Sequence, residues 1–174
     1  MNDLDVERLF RTYHATLVRY LTRRLGDSDW AEEVAQETFV RAVRQESIVN
    51  ERAWLFTVAN NLVRDEARKD ARRRRHLELL REQARDEVLE PEPTTLERAQ
   101  EAAMARKAME ALAERDRLAL LMREEGLDYT EIAQALDLSV GSIGTTLSRA
   151  RRRLVDAYEA LQEESRRREG NAAS

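Results

Sequence analysis

The sequence of 174 residues contains no cysteine, which excludes both a disulfide framework and a thiolate metal site. It has only two prolines, five glycines and 5% aromatic residues, a composition that disfavours a β-rich fold. No apolar run approaches the roughly 20 residues that span a bilayer, and the N-terminus is too acidic and polar for a signal peptide. These absences predict an all-α protein that does not insert into membranes and that works in the cytoplasm.

Motifs for catalysis are missing as well. The two histidines, His14 and His76, lie in unrelated contexts, and no side chains converge on an acid–base pair. Gly141 and Gly144 lack the preceding strand and the following lysine of a phosphate-binding loop. The carboxylates stand near arginines at helical spacing, the usual pattern of a solvated surface. We therefore expect no enzymatic activity, no cofactor, no metal and no small-molecule substrate.

Charge is abundant and unevenly placed, although the net charge is only −4. Residues 64–75 include seven basic and three acidic side chains, and four of the five residues at 149–153 are arginine. Between these segments, residues 76–105 hold eight acidic and three basic side chains. Two basic segments on either side of an acidic one predict two separate contacts with nucleic acid rather than uniform coating.

Apolar residues recur at helical spacing in three stretches of the first half, which predicts three helices. The first ends before Gly26, and the second begins at the acidic capping pattern of Asp29 and Glu32. The third follows a loop over residues 45–51, where Asn50 is placed to cap it. The side chains expected to be buried are Val6, Phe10, Tyr13, Leu17, Leu21, Ala31, Val34, Ala35, Thr38, Ala42, Val43, Trp54, Leu55, Val58, Ala59 and Leu62.

The polar side of the third helix collects amides and charges. They are Asn60, Asn61, Arg64, Asp65, Arg68 and Lys69. Asparagine and arginine can read base edges, and arginine also holds phosphates. Trp54 and Phe56 offer rings for stacking on unpaired bases, although helical spacing favours a core position for Trp54. An arginine run follows at residues 72–75, and on spacing alone a solubilising helix end explains that run as well as phosphate contact does.

An acidic segment containing Pro91 and Pro93 divides the chain into two helical halves. The expected boundaries are a first domain at residues 1–78, a linker at 79–97, a second domain at 98–162 and a disordered tail at 163–174. Each domain would hold three or four helices, which is too few for high stability alone.

The second half contains a short helix, a tight turn and a second helix from residue 128 onward. Asp128 and Glu131 form a capping box at the first helix, and Ser139 is placed to cap the second. The apolar stripe of the second helix is Val140, Ile143, Leu147, Ala150 and Leu154. Its other face carries Ser142, Thr145, Thr146, Arg149, and Arg152 or Arg153. Hydroxyls beside arginines suit the DNA major groove, but an ordinary amphipathic hairpin explains this segment too.

Three segments, in order, resemble motifs of the extracytoplasmic-function (ECF) group of bacterial RNA polymerase sigma factors. Residues 30–42 read WAEEVAQETFVRA and resemble the family's polymerase-binding helix, DAEDLVQETFLRA. Residues 54–65 read WLFTVANNLVRD and are similar to its −10 helix, W-L-x-x-I-A-x-N-x-x-x-D. Residues 112–154 resemble its −35 domain, including the pattern E-G-L-x-Y-x-E-I-A-x-x-L.

The resemblance implies a role for each surface. It implies that Glu33, Gln36, Glu37 and Arg41 bind core RNA polymerase. Recognition of the −10 element would fall to Asn50, in a loop that holds a flipped base, with Asn60, Asn61, Arg64 and Arg68 beside it. Contact with the −35 element would fall to Ser142, Thr145, Thr146, Arg149, Arg151, Arg152 and Arg153. The acidic linker would thread through the polymerase, and an anti-sigma factor is a further implied partner.

The second helix of the helix-turn-helix departs from the family pattern V-G-T-V-K-S-R-L-H-R-A-R. Gly144 and Thr146 replace a lysine and an arginine, and Ser148 replaces a histidine. Either the −35 element differs from the common one, or its contact is weak.

The predicted function is that of an alternative sigma factor that recognises the −10 and −35 elements and helps to melt DNA. Two other functions remain open at this point. One is a two-domain helix-turn-helix regulator that never joins polymerase, and the other is a decoy that binds polymerase or an anti-sigma factor without starting transcription.

Overall fold

The computed structural model describes the backbone at residues 3–69 and 95–174 and the side chains at residues 5–67 and 95–174. Within these ranges the chain forms seven α-helices and no β-strand, which confirms the all-α prediction. The helices are α1 (Asp3–Leu25), α2 (Ser28–Val43), α3 (Glu51–Lys69), α4 (Leu96–Glu110), α5 (Glu114–Glu124), α6 (Tyr129–Leu136) and α7 (Val140–Ala172). None of the described helices has both the length and the hydropathy to cross a bilayer.

The helices fall into two compact units that differ from the expected domains. The first unit combines α1, α2 and α3 with the end of α5 and with α6, and the second contains α4, the start of α5 and most of α7. The sequence-based boundary had placed α6 wholly in a second domain at residues 98–162. The division differs because α6 packs against α3.

The core of the first unit lies where α1 packs on α2 and α3, and α2 on α3. Its buried apolar side chains include Leu9, Leu17, Tyr20, Leu21, Trp30, Val34, Phe39, Leu55, Phe56, Ala59 and Leu62. Phe10 and Val43 are exposed, so their assignment to the core is wrong. Both lie at the edge of an apolar stripe, where helical spacing alone does not decide burial.

Two local features separate α1 from α2. Gly26 follows α1 with a φ of 68°, a left-handed conformation that glycine adopts without a steric cost. Asp27, rather than Asp29, caps α2, since its carboxylate accepts hydrogen bonds from the backbone N–H groups of Asp29 and Trp30, both at 3.0 Å.

The capping box predicted at the start of α6 is present. The Asp128 carboxylate accepts the N–H of Glu131 at 2.8 Å, and the Glu131 carboxylate accepts the N–H of Asp128 at 3.0 Å. Asp137 ends α6 with a φ of 55°, and α7 begins three residues later at Val140. The short helix, the turn and the second helix predicted from residue 128 onward are therefore confirmed.

The ends of the second half differ from expectation. Helix α7 continues through Ala172, so the prediction of a disordered tail at residues 163–174 is wrong. Ion pairs one helical turn apart, Arg167 with Glu163 and Arg168 with Glu164, contribute to this extension. Helix α4 begins at Leu96, capped by Thr95, inside the expected linker. The rest of that linker and the arginine run at residues 72–75 lie outside the described residues.

Candidate polymerase and nucleic-acid interfaces

The exposed face of α2 carries every residue expected to bind polymerase. Glu33, Gln36, Glu37 and Arg41 are all exposed, whereas Val34, Ala35 and Thr38 on the opposite face are buried. The guanidinium Nε of Arg41 lies 3.4 Å from a carboxylate oxygen of Glu37, one turn earlier. The four side chains thus form one polar stripe whose orientation is fixed by the packed face behind it.

Apolar and aromatic side chains lie on the same two helices, and the sequence reading did not assign them to a surface. Val40 and Val43 of α2 are exposed, as is Phe10 of α1. Phe10 stacks on His14 with ring centroids 4.3 Å apart and meets Phe39 edge-on at 5.1 Å. Apolar side chains near a polar stripe are typical of a protein-binding surface. Helical spacing could not find them, because it counted Phe10 and Val43 as core.

On α3, the structure separates the two neighbouring asparagines. Asn61 and Arg64 are exposed, as the −10 assignment requires, and Asn50 is exposed before the helix. Asn60 is only 1% exposed, so its assignment to the polar face is wrong. The side chain of Arg68 lies outside the described residues.

Asn60 is instead the centre of a buried hydrogen-bond network. Its carbonyl oxygen accepts from the Tyr20 hydroxyl at 2.8 Å and from the Arg24 guanidinium at 2.6 Å. Its amide nitrogen lies 3.5 Å from the backbone oxygen of Ala135 on α6. Asn60 therefore joins α1, α3 and α6, and it is unavailable to DNA in this conformation.

An ion pair strengthens the packing of α6 on α3. Arg52 donates from Nε and Nη2 to the two carboxylate oxygens of Glu131, each at 2.6 Å. This bidentate hydrogen bond lowers the pKa of Glu131 and raises the pKa of Arg52. Asn50 lies at the same end of α3, with its amide nitrogen 3.5 Å from the side-chain oxygen of Gln134. The contact thus involves two residues assigned to the −10 element, Asn50 and Asn60.

Helix α7 presents part of the expected −35 surface. Thr145, Arg151, Arg152 and Arg153 are exposed, and Ser142 and Arg149 are half-buried. Thr146 is only 5% exposed, and its hydroxyl donates to the backbone oxygen of Ser142 at 2.8 Å. The assignment of Thr146 to the exposed face is therefore wrong.

One buried acid engages two of the four arginines at residues 149–153. The side chain of Asp116, in the first turn of α5, is 1% exposed. Its oxygens accept hydrogen bonds from Arg149 at 2.8 and 3.4 Å and from Arg153 at 3.2 Å. These bonds raise the pKa of Arg149 above its ordinary value. Sequence reasoning missed Asp116, because it stands in a run of charged residues where nothing marks it as buried.

The described part of the chain contains no group of three or more acidic or histidine side chains placed to hold a metal ion.

Two families match the chain in order. Sigma-70 region 2 matches residues 9–73, and Sigma-70, region 4 matches residues 102–154. The chain is 30% identical to the RNA polymerase sigma factor YlaC of Bacillus subtilis over 170 residues, which is 93% of this chain and 96% of that protein. It is 32% identical over 153 residues to the ferric citrate uptake sigma factor FecI of Escherichia coli, with 84% of this chain and 87% of that protein covered.

The fold also has a counterpart among solved structures. The sigma factor RpoE of Bartonella quintana, in complex with the anti-sigma factor NepR, matches with a TM-score of 0.66 and 24% identity. The match covers 89% of this chain and 97% of that one. The family matches include α2, α3 and the part of α7 that carries the arginines.

Proposed function

The chain belongs to the extracytoplasmic-function group of bacterial RNA polymerase sigma factors, and on that premise we propose which of its surfaces binds which partner. It is an alternative sigma factor, and it joins core polymerase to start transcription. In our proposal the polar stripe of α2 binds core polymerase, α3 meets the −10 element and α7 meets the −35 element. The observation that carries this proposal is the exposure of all four stripe residues on one face of α2.

The −10 surface centres on the exposed part of α3. Asn61 and Arg64 meet the unpaired strand, with Asn50 and Arg68 at the two ends of the helix. Asparagine supplies donors and acceptors for a base edge, and arginine supplies charge for phosphates. Asn60 supports this surface from below rather than contacting DNA, because its amide is committed to Tyr20 and Arg24.

The residues of the −35 surface are of two kinds, those that contact base edges and those that contact phosphates. Ser142 and Thr145 lie nearest the base edges, while Arg151 and Arg152 hold phosphates from the exposed side of α7. We assign the two DNA-binding modules to residues 1–78 and 98–162, and a contact with polymerase to the acidic segment between them. An anti-sigma factor is a further partner, a proposal supported by the shared fold with a sigma factor that was solved with one.

The polymerase assignment is tested by substituting the α2 stripe. Gln36→Ala with Glu37→Ala should weaken the affinity of the full chain for core polymerase about tenfold or more, because truncating central interface residues commonly costs over 1 kcal/mol. The measurement is a titration of core polymerase, with co-elution on gel filtration as a qualitative check.

The matched control is Gln100→Ala with Glu101→Ala, the same dipeptide exposed on α4. It should bind core polymerase like the wild type. Equal affinities for the two double variants would contradict the assignment of α2, and failure of the wild type to co-elute would contradict the function itself.

The −10 assignment is tested by promoter melting. Arg64→Ala or Asn61→Ala in the holoenzyme should reduce the reactivity of bubble thymines towards permanganate several-fold, since these side chains meet the unpaired strand. Arg11→Ala, which removes an exposed arginine from α1, should leave that reactivity unchanged. Normal melting with weaker duplex binding would show that another face of α3 meets the DNA.

A further inference from the structure

In the cluster of Asp116, Arg149 and Arg153, the acidic side chain is buried and the two arginines are partly exposed. The proposed assignment of α7 residues to base edges or to phosphates does not explain this arrangement. The Asp116 side chain is 1% exposed, whereas those of Arg149 and Arg153 are 42% and 56% exposed. A buried carboxylate needs compensation by bound cations, and the two guanidinium groups provide it. The Asp116 carboxylate therefore lies inside the protein, and the two guanidinium groups lie at its surface, on residues one helical turn apart on α7.

We propose that Asp116 is a positioning residue for the −35 contact, holding Arg149 and Arg153 side by side as a bracket for one DNA phosphate. This inference rests on the proposed role of α7. An arginine has five N–H groups, of which Arg149 gives two to Asp116 and Arg153 gives one. Three and four N–H groups remain for another acceptor, and the cluster keeps a net charge of about +1, which matches a single phosphate.

Pre-orientation distinguishes this pair from the neighbouring arginines. Arg151 and Arg152 are exposed, and neither forms an ion pair with any residue in the described ranges. They must lose side-chain freedom when they bind DNA, whereas Arg149 and Arg153 have lost much of theirs on folding. Asp116 thus lowers the entropic cost of the phosphate contact, although it also removes one positive charge from the surface.

The test compares two promoter fragments with holoenzyme assembled from the full chain and core polymerase. The fragments are identical, except that one is cut short so that it lacks the −35 element. The ratio of the two affinities measures the −35 contribution. Asp116→Asn should lower this ratio roughly tenfold, as expected when two long side chains must be ordered during binding. Asp156→Asn, the same charge change at an exposed position on α7, should leave the ratio unchanged or slightly raised.

Three other results would contradict the inference or the proposed function on which it rests. If Asp116 only reduces positive charge, Asp116→Asn will raise the affinity for the fragment that has the −35 element and so raise the ratio, and the inference is wrong. If the thermal midpoint falls while the ratio holds, Asp116 has only a structural role, and the inference is again wrong. A wild-type ratio of one would instead overturn the proposed −35 role of α7, on which the inference depends.

Arg149→Lys covers the case in which Asp116→Asn fails to fold. Lysine keeps the charge and can pair with Asp116, but it lacks the planar fork of the guanidinium. The bracket predicts a lower ratio for Arg149→Lys and little further loss when Arg153→Lys is added, because the two act as one unit. Independent, additive losses would contradict the bracket.

Discussion

Helices α3 and α7 are both proposed to contact DNA, and on each helix one of the expected contact residues is buried. On α3 this residue is Asn60, and on α7 it is Thr146. They are held in different ways. Asn60 bonds to Tyr20, Arg24 and the backbone of Ala135, which are 40, 36 and 75 positions away in the sequence. Thr146 donates to the backbone of Ser142, four positions earlier in its own helix.

The difference concerns what each residue does for the fold. A buried amide that joins three helices is part of a network whose members depend on each other. A threonine that bonds back along its own helix adds little, because that carbonyl already accepts a helical hydrogen bond. The interior position of Asn60 should therefore be essential to the first unit, and that of Thr146 should be replaceable.

The largest expected effect is that of Asn60→Ala. This change removes the shared acceptor of the Tyr20 hydroxyl and the Arg24 guanidinium, and it leaves a cavity between α1 and α3. We expect a loss of about 2–3 kcal/mol in the free energy of unfolding, measured by urea denaturation.

Asn61→Ala, one position along the same helix, is the control for that loss. Its side chain is exposed, so the change in stability should stay within about 0.5 kcal/mol. Equal losses at the two positions would show that the network around Asn60 does not stabilise the unit.

An intermediate effect is expected at the ion pair between α3 and α6. Arg52→Gln should reduce the free energy of unfolding by about 1–2 kcal/mol at pH 7, since it replaces a bidentate, partly buried bond to a charged group. Hydrogen bonding to Arg52 lowers the pKa of Glu131 below its ordinary value of 4.5. The stabilisation is therefore complete above about pH 4.5 and is lost as the pH falls through the lowered pKa.

The measurement is denaturation of the wild type and the Arg52→Gln variant at several pH values between 7 and 3. The difference between the two proteins should shrink at the acidic end, as Glu131 becomes protonated. A constant difference over this range would mean that the pair does not contribute through the ionised carboxylate. The variant Arg8→Gln, which removes an exposed pair, should cost less at every pH.

Much of the fold followed from local patterns in the sequence. The capping box of Asp128 and Glu131 and the positive φ at Gly26 both rest on residues within a few positions of each other. The polar stripe of α2 is likewise exposed as its helical spacing predicted. Patterns of this kind can be read from one sequence because every residue that determines them is nearby.

The features that the sequence did not reveal depend on distant partners. Nothing near Asn60 indicates Tyr20 or Arg24, and nothing near Asp116 indicates Arg149. The packing of α6 on α3 is another example, since it joins segments that sequence reasoning placed in different domains. The helical end of α7 was missed for a different reason. Its polar composition is typical of a disordered terminus, whereas ion pairs one turn apart, Arg167 with Glu163 and Arg168 with Glu164, favour a helix there.

The smallest expected effect is that of Thr146→Val, which swaps a hydroxyl for a methyl group of similar size. Its hydroxyl bonds only within α7 in the described structure, so the free energy of unfolding should change by less than about 1 kcal/mol. Because Thr146 is buried, the preference of the holoenzyme for −35 sequences should not change. Thr145→Val, at the exposed neighbouring position, should leave stability nearly unchanged but shift that preference, since its hydroxyl lies on the face proposed to meet base edges. A selection from promoters with randomised −35 sequences, run with both variants, separates the two positions. If Thr146→Val shifts the selected sequences and Thr145→Val does not, α7 must present a different face to DNA from the one exposed in this structure.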